Sequence, residues 1–325
     1  MVTTAAAAEQ RVVRVGPDLA GRRLDQALAK LLPEFSRSKL QEWIARGCVR
    51  VNGARRGQRE KVWGGEEVLI ELLAEPRGEC APEPIPLDIV HEDEHILVVN
   101  KPAGLVVHPA AGNPDGTLQN ALLHHAPGLD RLPRAGIVHR LDKDTSGLLV
   151  VAKTLVAHRS LVEQLQQRIV HREYRALVNG ALAAGGRVDL PIGRHPTHRT
   201  RMAVVAAGRC AVSRYRVLEP FGAHTLLAVE LETGRTHQIR VHFSHIRHPL
   251  VGDQTYGGRP RPPKGVSPEL AAALKRFPRQ ALHAIRLGFH HPATGAAVDW
   301  EVPMAEDLLA LLAVLRAEEE EHALA

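Results

Sequence analysis

A proline-rich segment, AEPRGECAPEPIP at residues 74–86, separates two parts of the chain that carry different sequence patterns. It has no hydrophobic periodicity, and its prolines disfavour both a continuous helix and a central strand. The segment therefore indicates a linker. On this division the chain has a small module at 11–73, a larger domain at 87–310, and an acidic helix or tail at 311–325.

The module at 11–73 combines helix and hairpin signals. In LDQALAKLLP the leucines recur at helical spacing until a proline ends the run. A serine, Ser36 or Ser38, can cap a second helix, SKLQEWIARG, which its glycine would end. CVRVNG predicts a short strand that enters an Asn52-Gly53 turn, and EEVLIEL predicts the closing strand.

Positive charge is concentrated in the same module. The formal net charge of the chain is +6, whereas residues 11–61 hold thirteen Lys or Arg against five Asp or Glu, a local balance of +8. The rest of the chain is therefore near −2. A basic module of this kind predicts a polyanionic partner. The alternative is a basic face that only keeps the protein soluble.

The sequence after the linker is dominated by strand signals. β-Branched runs bounded by Gly, Pro or Asn predict strands in HILVVNK, GLLVVAK, YRALVNG, VSRYRVLE and LLAVELE. Helices are predicted in TLQNALLHHA, VAHRSLVEQLQQR, RTHQIRVHFSHIRH and the C-terminal EDLLALLAVLRAEEEEHALA. Strands with a few interspersed helices favour an α+β domain around a mainly antiparallel, mixed sheet.

Several classes of protein find no support in the sequence. There is no P-loop, GxGxxG or GxSxG motif, which leaves nucleotide-driven chemistry and serine hydrolysis without a signature. No apolar run approaches the length of about 18 residues that predicts a membrane span, and the N-terminus lacks the regions of a signal peptide. Three dispersed cysteines, Cys48, Cys80 and Cys210, fit a reducing cytoplasm.

A group of histidines offers an alternative function. His242, His245 and His248 follow one another at three-residue spacing on a predicted helix, with His237 just before them. Such a face could bind a metal in a metal-dependent hydrolase. Residues three apart drift around a helix, however, and no Cys or Glu completes a zinc pattern nearby. We favour packing roles and expect no metal.

The stretch IVHRLDKDTSGLLVV places five ionisable side chains, from His139 to Asp144, between two apolar runs. DTSG, residues 144–147, is typical of a turn. Asp142 is not needed for that turn, and Arg140 and Lys143 on either side would keep it ionised. An ionised carboxylate at the start of a strand can act as nucleophile or general base. The alternative is a loop ion pair.

These segments together resemble the RluA family of pseudouridine synthases, and most closely its RluD-type members. HRLDKDTSGLLVVAK resembles the catalytic motif, and EDEHILVVNKPAGLVVHP, REYRALVNG, LETGRTHQIRVH and HPLVGDQTYGG follow in the family's order. Residues 11–73 resemble the alpha-L RNA-binding domain. The resemblance extends over about residues 11–305, and HRLD combined with GRxHQxR is specific.

The resemblance implies isomerisation of uridine to pseudouridine in RNA. Asp142 would be the essential aspartate that acts on a flipped-out uridine, and Arg140 would fill the stack that the base leaves. Tyr174 would pack against the base and assist proton removal from C5, Arg240 would pair with the aspartate, and Leu282 would line the apolar side of the pocket. Attack at C1′ and removal of a ribose proton are both open to the aspartate.

The resemblance also implies a partner, which would be ribosomal RNA of the large subunit, most specifically 23S rRNA. The basic side chains predicted to bind RNA in the small module are Arg22, Arg23, Arg37, Lys39, Arg46 and Arg55. The enzyme would be a cytoplasmic monomer that needs no cofactor, metal or membrane. Which uridines are modified is left open, because related members act on other rRNA sites or on tRNA. A non-catalytic RNA-binding or ribosome-assembly factor is the second hypothesis.

Overall fold

The computed structural model describes residues 9–33, 35, 37–72, 80–110, 112–198 and 200–324. The chain forms two compact units, Met1–Glu79 and Cys80–Ala325. Residues 74–79 of the predicted linker lie outside the described residues, and residues 80–86 have no regular secondary structure.

The first unit is a small antiparallel sheet with two helices. Its elements are β1 (Glu9–Arg14), a 3-10 turn (Pro17–Leu19), α1 (Leu24–Leu31), α2 (Arg37–Arg46), β2 (Val49–Val51), β3 (Ala54–Arg55) and β4 (Glu67–Leu72). The strands lie in the order β1-β4-β2-β3. Asn52 and Gly53 both have positive φ angles, 49° and 79°, as a type I′ hairpin requires. The helices and strands predicted for this module are confirmed; Ser36 and the side chain of Ser38 lie outside the described residues.

The core of the first unit explains why its apolar residues are spaced as they are. Leu24 and Leu28 of α1, Leu40 and Trp43 of α2, and Ile70 of β4 are all buried in one cluster. The helical periodicity of three to four residues therefore puts one face of each helix onto the sheet. Most charged side chains of the helices remain on the outer faces, but Asp25 of α1 is buried.

The second unit is built around a nine-stranded sheet. Its strands are β5 (Ile89–Glu92), β6 (Ile96–Lys101), β7 (Ser146–Ala152), β8 (His171–Asn179), β9 (Gly186–Asp189), β10 (Ile192–Arg194), β11 (Met202–Val204), β12 (Val212–Phe221), β13 (His224–Leu231), β14 (Leu282–His290) and β15 (Ala297–Glu301). Its α-helices are α3 (Leu118–His125), α4 (Leu155–Gln166), α5 (Gln238–His245), α6 (Pro268–Arg276) and α7 (Glu306–Leu324).

The sheet has the order β5-β6-β7-β14-β8-β13-β12-β9, and β15 pairs with β14. Only the β7–β14 pair is parallel, and β10 and β11 form a separate hairpin among the described residues. The predicted α+β class with a mainly antiparallel, mixed sheet is confirmed. Helix α5 begins at Gln238, so the prediction that a helix starts directly after Gly234 was wrong.

Strand β7 lies at the centre of the unit and is buried on both faces. Leu149 and Val151 point into one apolar cluster, which also receives side chains from α3 and α5. Leu148 and Val150 point into a second cluster, which receives side chains from α4 and β15. The continuous apolar run GLLVVA is therefore a strand with helices or strands packed against both sides.

Gly147 permits the parallel contact between β7 and β14. Its φ is +111°, and a Cβ at this position would lie 2.1 Å from the carbonyl oxygen of Ala284. No other residue allows the two backbones to approach so closely. The contact brings the loop before β7 beside Leu282, the first residue of β14.

The C-terminal helix α7 packs on the second unit. Leu308, Leu311, Leu312 and Leu315 are buried in a cluster with residues of α6 and the sheet. The predicted division at residue 310 falls within this helix. Within the described part of the chain, no helix has the length and apolar character needed to span a bilayer.

Candidate active site

Asp142 lies in an irregular loop that leads into β7. The backbone NH of Thr145 donates to the carbonyl of Asp142 at 3.1 Å, which closes a turn over Lys143 and Asp144. Ser146 and Gly147 belong to the buried strand. The prediction that residues 144–147 form the turn was therefore wrong by about two residues, and Asp142 opens the turn instead.

Lys101, at the end of β6, anchors the loop that carries Asp142 through hydrogen bonds to backbone carbonyls. It is 1% exposed, and its ammonium donates to the carbonyls of Pro102 at 2.7 Å, Leu105 at 2.9 Å and Lys143 at 2.9 Å. Burial lowers the pKa of Lys101 to about 7, against the opposing charges of Asp144 and Asp142. All three N–H groups have an acceptor, so the geometry is that of the charged form.

Arg279 fixes the other side of the same loop. Its Nη1 donates to the carbonyl of Asp144 at 3.1 Å, while Nε and Nη2 lie 2.6 and 2.7 Å from the carboxylate of Asp307. The adjacent Gln280 donates to the hydroxyl of Thr145 at 3.1 Å. The loop that carries Asp142 is thus anchored by side chains from β6 and from the segment before β14.

The carboxylate of Asp142 meets Arg240 from α5. Oδ2 accepts from Nη1 of Arg240 at 3.0 Å. Arg240 also forms a two-bond pair with Asp253, whose side chain is 1% exposed. Burial opposes the charge on Arg240, but Asp253 and Asp142 outweigh it and raise the pKa of the guanidinium. The structure therefore brings together two of the predicted catalytic residues, Asp142 and Arg240.

His237 faces the second oxygen of Asp142. Its Nε2 lies 3.8 Å from Oδ1, and its Nδ1 is 2.7 Å from the hydroxyl of Tyr256. The carboxylate favours the tautomer with hydrogen on Nε2, so the hydroxyl donates to Nδ1. His237 has φ 56° and ψ 23°, a left-handed conformation that is uncommon outside glycine. Burial lowers the pKa of His237, which keeps the ring neutral at pH 7.

A cavity of about 560 Å³ opens beside Asp142. Tyr174 of β8 and Leu282 of β14 line it and are 5% and 4% exposed. Burial raises the pKa of Tyr174, and the charge of Arg172 opposes that shift. All four predicted residues Asp142, Tyr174, Arg240 and Leu282 therefore lie around one cavity, with a charged side and an apolar side.

Arginines surround the opening of this cavity. Arg140 is exposed and lines it two residues before Asp142. Arg134 and Arg168 are also exposed lining residues. A positive rim around a cavity with one apolar side suits a nucleotide, since the phosphates can remain near the rim while the base enters.

The basic residues predicted in the first unit divide into two groups. Arg23 and Arg37 form ion pairs with buried Asp25 at 3.0 and 2.7 Å, and Arg46 pairs with Glu42 at 2.7 Å. Burial of Asp25 opposes its charge, but the bonds from Arg37, Gln41 and Arg23 lower the pKa of its carboxyl.

The remaining predicted RNA contacts are less constrained. Arg22 and Arg55 are exposed, and the guanidinium of Arg55 covers Gly47. The side chain of Lys39 lies outside the described residues. Among the described predicted contacts, Arg22 and Arg55 thus have the most freedom to reach a phosphate.

The histidines considered as metal ligands point to different partners. His242 bonds to the hydroxyl of Ser213 at 2.9 Å and to the carbonyl of Leu190 at 3.0 Å, so both ring nitrogens are used. His248 bonds to the carbonyl of Asn179 at 2.9 Å. These bonds give the two histidines structural roles.

Among the described residues, one group has spacing suited to a metal, namely His171, Glu173 and Glu230. Glu173 alternates with Tyr174 along β8 and so points away from the cavity. It is also paired with Arg175. The group therefore lies apart from Asp142 and its partners.

Sequence reasoning missed the groups that hold Asp142 and Arg240 in place. Asp253 and Tyr256 lie in the quoted segment HPLVGDQTYGG, and Lys101 lies in NKPAG, but no role was predicted for them. The sequence offered one signal for such residues, which is a single charged residue within an apolar or glycine-bounded stretch. Lys101, which follows ILVVN, is an example. Spacing alone could not reveal that Asp253 meets Arg240.

Comparisons with known proteins bear directly on this site. The profile of RNA pseudouridylate synthases matches residues 95–245, and the S4 domain profile matches residues 22–68. The chain is 58% identical over 311 residues to ribosomal large subunit pseudouridine synthase D of Pseudomonas aeruginosa, covering 96% of this chain and 97% of that protein. The chain belongs to the RNA pseudouridylate synthase family. The same enzyme of Escherichia coli K12 is 55% identical over 314 residues, covering 96% of both chains.

Solved structures of pseudouridylate synthases share the fold. Human RNA pseudouridylate synthase domain containing 4 is 26% identical with a TM-score of 0.55, covering 70% of this chain and 92% of its own. Human RNA pseudouridylate synthase domain containing 1 is 28% identical with a TM-score of 0.53, covering 72% and 96%. The chain is therefore a pseudouridine synthase with an N-terminal S4 domain, an enzyme that isomerises uridine in RNA, and the predicted family and activity are confirmed.

Proposed function

We propose that this pseudouridine synthase acts on uridines of 23S ribosomal RNA, with Asp142 as the reacting carboxylate. The observation that carries the proposal is the set of contacts around Asp142. One oxygen is fixed by Arg240 at 3.0 Å, and Asp142 lines a cavity that Tyr174 and Leu282 also line. The names of the bacterial relatives, ribosomal large subunit pseudouridine synthase D, support the large-subunit substrate.

The substrate uridine has to leave its stack before a carboxylate can reach its ribose. Flipping a base costs a few kcal/mol, and a side chain that takes its place offsets part of that cost. Arg140 is exposed at the cavity opening, two residues from Asp142. Its planar guanidinium can stack on the neighbouring bases and bond to phosphate. Arg140 is therefore the proposed replacement for the flipped uridine.

Asp142 has to react as the carboxylate. Arg240 provides a charge-assisted hydrogen bond to Oδ2, while the one side chain opposite Oδ1 among the described residues is His237, at the longer distance of 3.8 Å. Oδ1 can attack C1′ or remove a ribose proton, and the contacts around it support either step. In both cases the bond from C1′ to N1 breaks and uracil is detached.

The detached uracil has to remain bound while it turns and rejoins the ribose through C5. Tyr174 and Leu282 offer flat and apolar surfaces for it, and both are almost completely buried. Product and substrate have the same atoms, so the reaction consumes no oxidant or group donor. We expect no cofactor or metal to take part.

The first unit supports the choice of a structured RNA as partner. Its basic side chains, among them the exposed Arg22 and Arg55, would neutralise phosphates without reading bases. Target choice would then depend on the RNA surface around the cavity. A cytoplasmic monomer remains our prediction for the form in which the enzyme works.

The chemical proposal can be tested with large-subunit rRNA transcripts that carry tritium at C5 of uridine. We expect the wild type to release tritium and Asp142→Asn to lose at least about 100-fold in rate. Asp299→Asn, which alters an exposed carboxylate on β15, is the matched control. Full turnover by Asp142→Asn would refute the assignment of the carboxylate.

The substrate proposal needs a separate experiment. Pseudouridines would be mapped in all RNA from cells with and without the gene. We expect losses confined to 23S rRNA. Losses only in tRNA would overturn the rRNA assignment and leave the activity intact.

A further inference from the structure

Among the described residues, two buried arginines line the cavity, Arg172 and Arg240, and the proposed reaction gives a role only to Arg240. Arg172 lies on β8 two residues before Tyr174, so the two side chains are on the same face of the sheet. Both line the cavity, and Arg172 is only 7% exposed. Its guanidinium is therefore buried next to the surface proposed to hold uracil.

Arg172 differs from the other buried arginines of the described chain. The buried arginines are Arg172, Arg240 and Arg279. Arg240 has Asp253 as a two-bond partner, and Arg279 has Asp307. Arg172 forms no ion pair with any described carboxylate. Its Nη2 donates to the carbonyl of Leu231 at 3.2 Å, while its Nε is buried without a partner.

A buried cation without an anion is unfavourable, because desolvation is not repaid by a partner. Burial accordingly lowers the pKa of Arg172. The nearby ring of His139 does not supply a negative charge. Burial and Arg172 lower the pKa of His139 to about 3, and its Nε2 accepts the backbone NH of Val150 at 3.1 Å. The charge on Arg172 thus remains available to a ligand in the cavity.

Gly234 leaves room for this guanidinium. A Cβ at residue 234 would lie 2.8 Å from Nη1 of Arg172, closer than ordinary contacts allow. Gly234 itself lines the cavity and is exposed. The absence of a side chain at this position keeps Nη1 beside the open space.

In the proposed reaction, cleavage of the bond between ribose and base produces an anion inside the cavity that Arg172 lines. When the C1′–N1 bond breaks, its electron pair goes to N1, and the negative charge is shared with the carbonyl oxygens O2 and O4 of uracil. The new bond then forms from C5 to C1′ as the bond from Asp142 to C1′ breaks, or as Asp142 returns the ribose proton; C5 loses its proton, and N1 regains one. The phosphates, by contrast, can pair with the exposed rim arginines such as Arg140 and Arg134.

We propose that Arg172 binds a carbonyl oxygen of the detached uracil and stabilises the uracil as an anion between bond cleavage and rejoining. The inference rests on the proposed function, since it requires the base to occupy the cavity beside Tyr174. Arg172 would be a catalytic residue whose contact strengthens as the negative charge develops.

The test is single-turnover conversion of a large-subunit rRNA transcript with tritium at C5. We expect Arg172→Gln to lower the rate constant about 100- to 1,000-fold and to change RNA affinity less than threefold. Arg172→Lys should recover part of the rate. Arg286→Gln, an exposed arginine on β14 whose side chain is 45% exposed, should match the wild type.

Gly234→Ala keeps the charge and displaces the guanidinium. We expect a loss of about tenfold in rate with unchanged melting temperature. If Arg172→Gln fails to fold, the rate of Gly234→Ala tests the role of Arg172 instead. An independent readout is the rate of C1′–N1 bond cleavage in a transcript that carries 5-fluorouridine at the target position. Fluorine stabilises the uracil anion, so the defect of Arg172→Gln in bond cleavage should become smaller.

Three outcomes would overturn the proposal. Wild-type rates in both Arg172→Gln and Gly234→Ala would leave Arg172 with a structural role only. Unchanged rates with weaker, less salt-dependent RNA binding would identify a phosphate contact. An Arg172→Gln defect of equal size on uridine and 5-fluorouridine would argue against anion stabilisation. A wild type that releases no tritium would instead refute the proposed function.

Discussion

Arg240 and Asp253 form a two-bond ion pair, with Nε 2.7 Å from Oδ2 and Nη2 2.9 Å from Oδ1. The pair consumes one edge of the guanidinium, and the remaining Nη1 is thereby aimed at Asp142. Asp253 is itself held by the backbone NH groups of Thr255 and Tyr256 at 3.0 and 3.1 Å. The orientation of Asp142, the proposed reacting carboxylate, thus depends on a carboxylate that does not line the cavity beside it.

Asp253→Asn should therefore impair the reaction through Arg240. The amide cannot accept from all the donors around it, and buried Arg240 loses the closer of its two anionic partners, which costs up to about 3–5 kcal/mol of stability. We expect a lower melting temperature and a loss in kcat that exceeds the change in KM. Asp299→Asn, in an exposed pair, is the control and should lose neither. A variant with full kcat would show that Arg240 needs no support.

We expect His237 to make the activity depend on pH in the acid range. Burial lowers its pKa, so the ring is neutral at pH 7 and gains a proton only below the usual histidine value of about 6.5. A charged ring 3.8 Å from Oδ1 would draw Asp142 away from its substrate. We expect the rate constant to fall as the pH drops below that value.

The decrease in rate constant at acid pH, called the acid limb, should be smaller in His237→Asn. Asparagine tolerates the left-handed backbone of residue 237. The measurement is single-turnover rate against pH for both proteins. An identical acid limb in the two proteins would assign the limb to a group other than His237. Retained melting temperature in His237→Asn shows that the backbone conformation has been kept.

Gly147→Ala should destabilise the second unit. The added Cβ would meet the backbone of Ala284, and alanine is strained at a φ of +111°. We expect a decrease of about 2–4 kcal/mol in the free energy of unfolding, measured with urea. Gly128→Ala is the matched control, because no atom lies within 4 Å of its added Cβ and its φ is not in the left-handed range. Equal stability of both variants would contradict the close β7–β14 contact.

The sequence predicted those elements whose patterns are local. Strand β7 was recognisable because burial on both faces requires a continuous apolar run, and α1 because one buried face requires helical spacing. The start of α5 was misplaced because His237 adopts a left-handed conformation, which no propensity scale anticipates at histidine. The short, exposed strand β15 gave too weak an apolar pattern to be recognised.

The candidate site was predictable only in part, because its contacts join residues that lie far apart in the sequence. HRLD singled out Asp142, but the resemblance, and not the spacing, supplied its pairing with Arg240, 98 residues away. The partners Asp253 and Lys101 depend on how separate loops pack together. Arg37 shows the converse, since a basic residue predicted to bind RNA is bonded to buried Asp25.

The basic residues of the first unit differ in whether an ion pair holds them, and we expect this difference to appear in RNA binding and stability. Arg22 and Arg55 are exposed, so Arg22→Gln and Arg55→Gln together should weaken RNA binding and reduce the salt dependence by about one contact each. The melting temperature should not change. Arg37→Gln should instead lower the melting temperature, because Asp25, with 0% of its side chain exposed, loses a partner. Titrations of RNA binding against salt, with melting curves, test both; an unaltered salt slope in the double variant would remove these two arginines from the RNA interface.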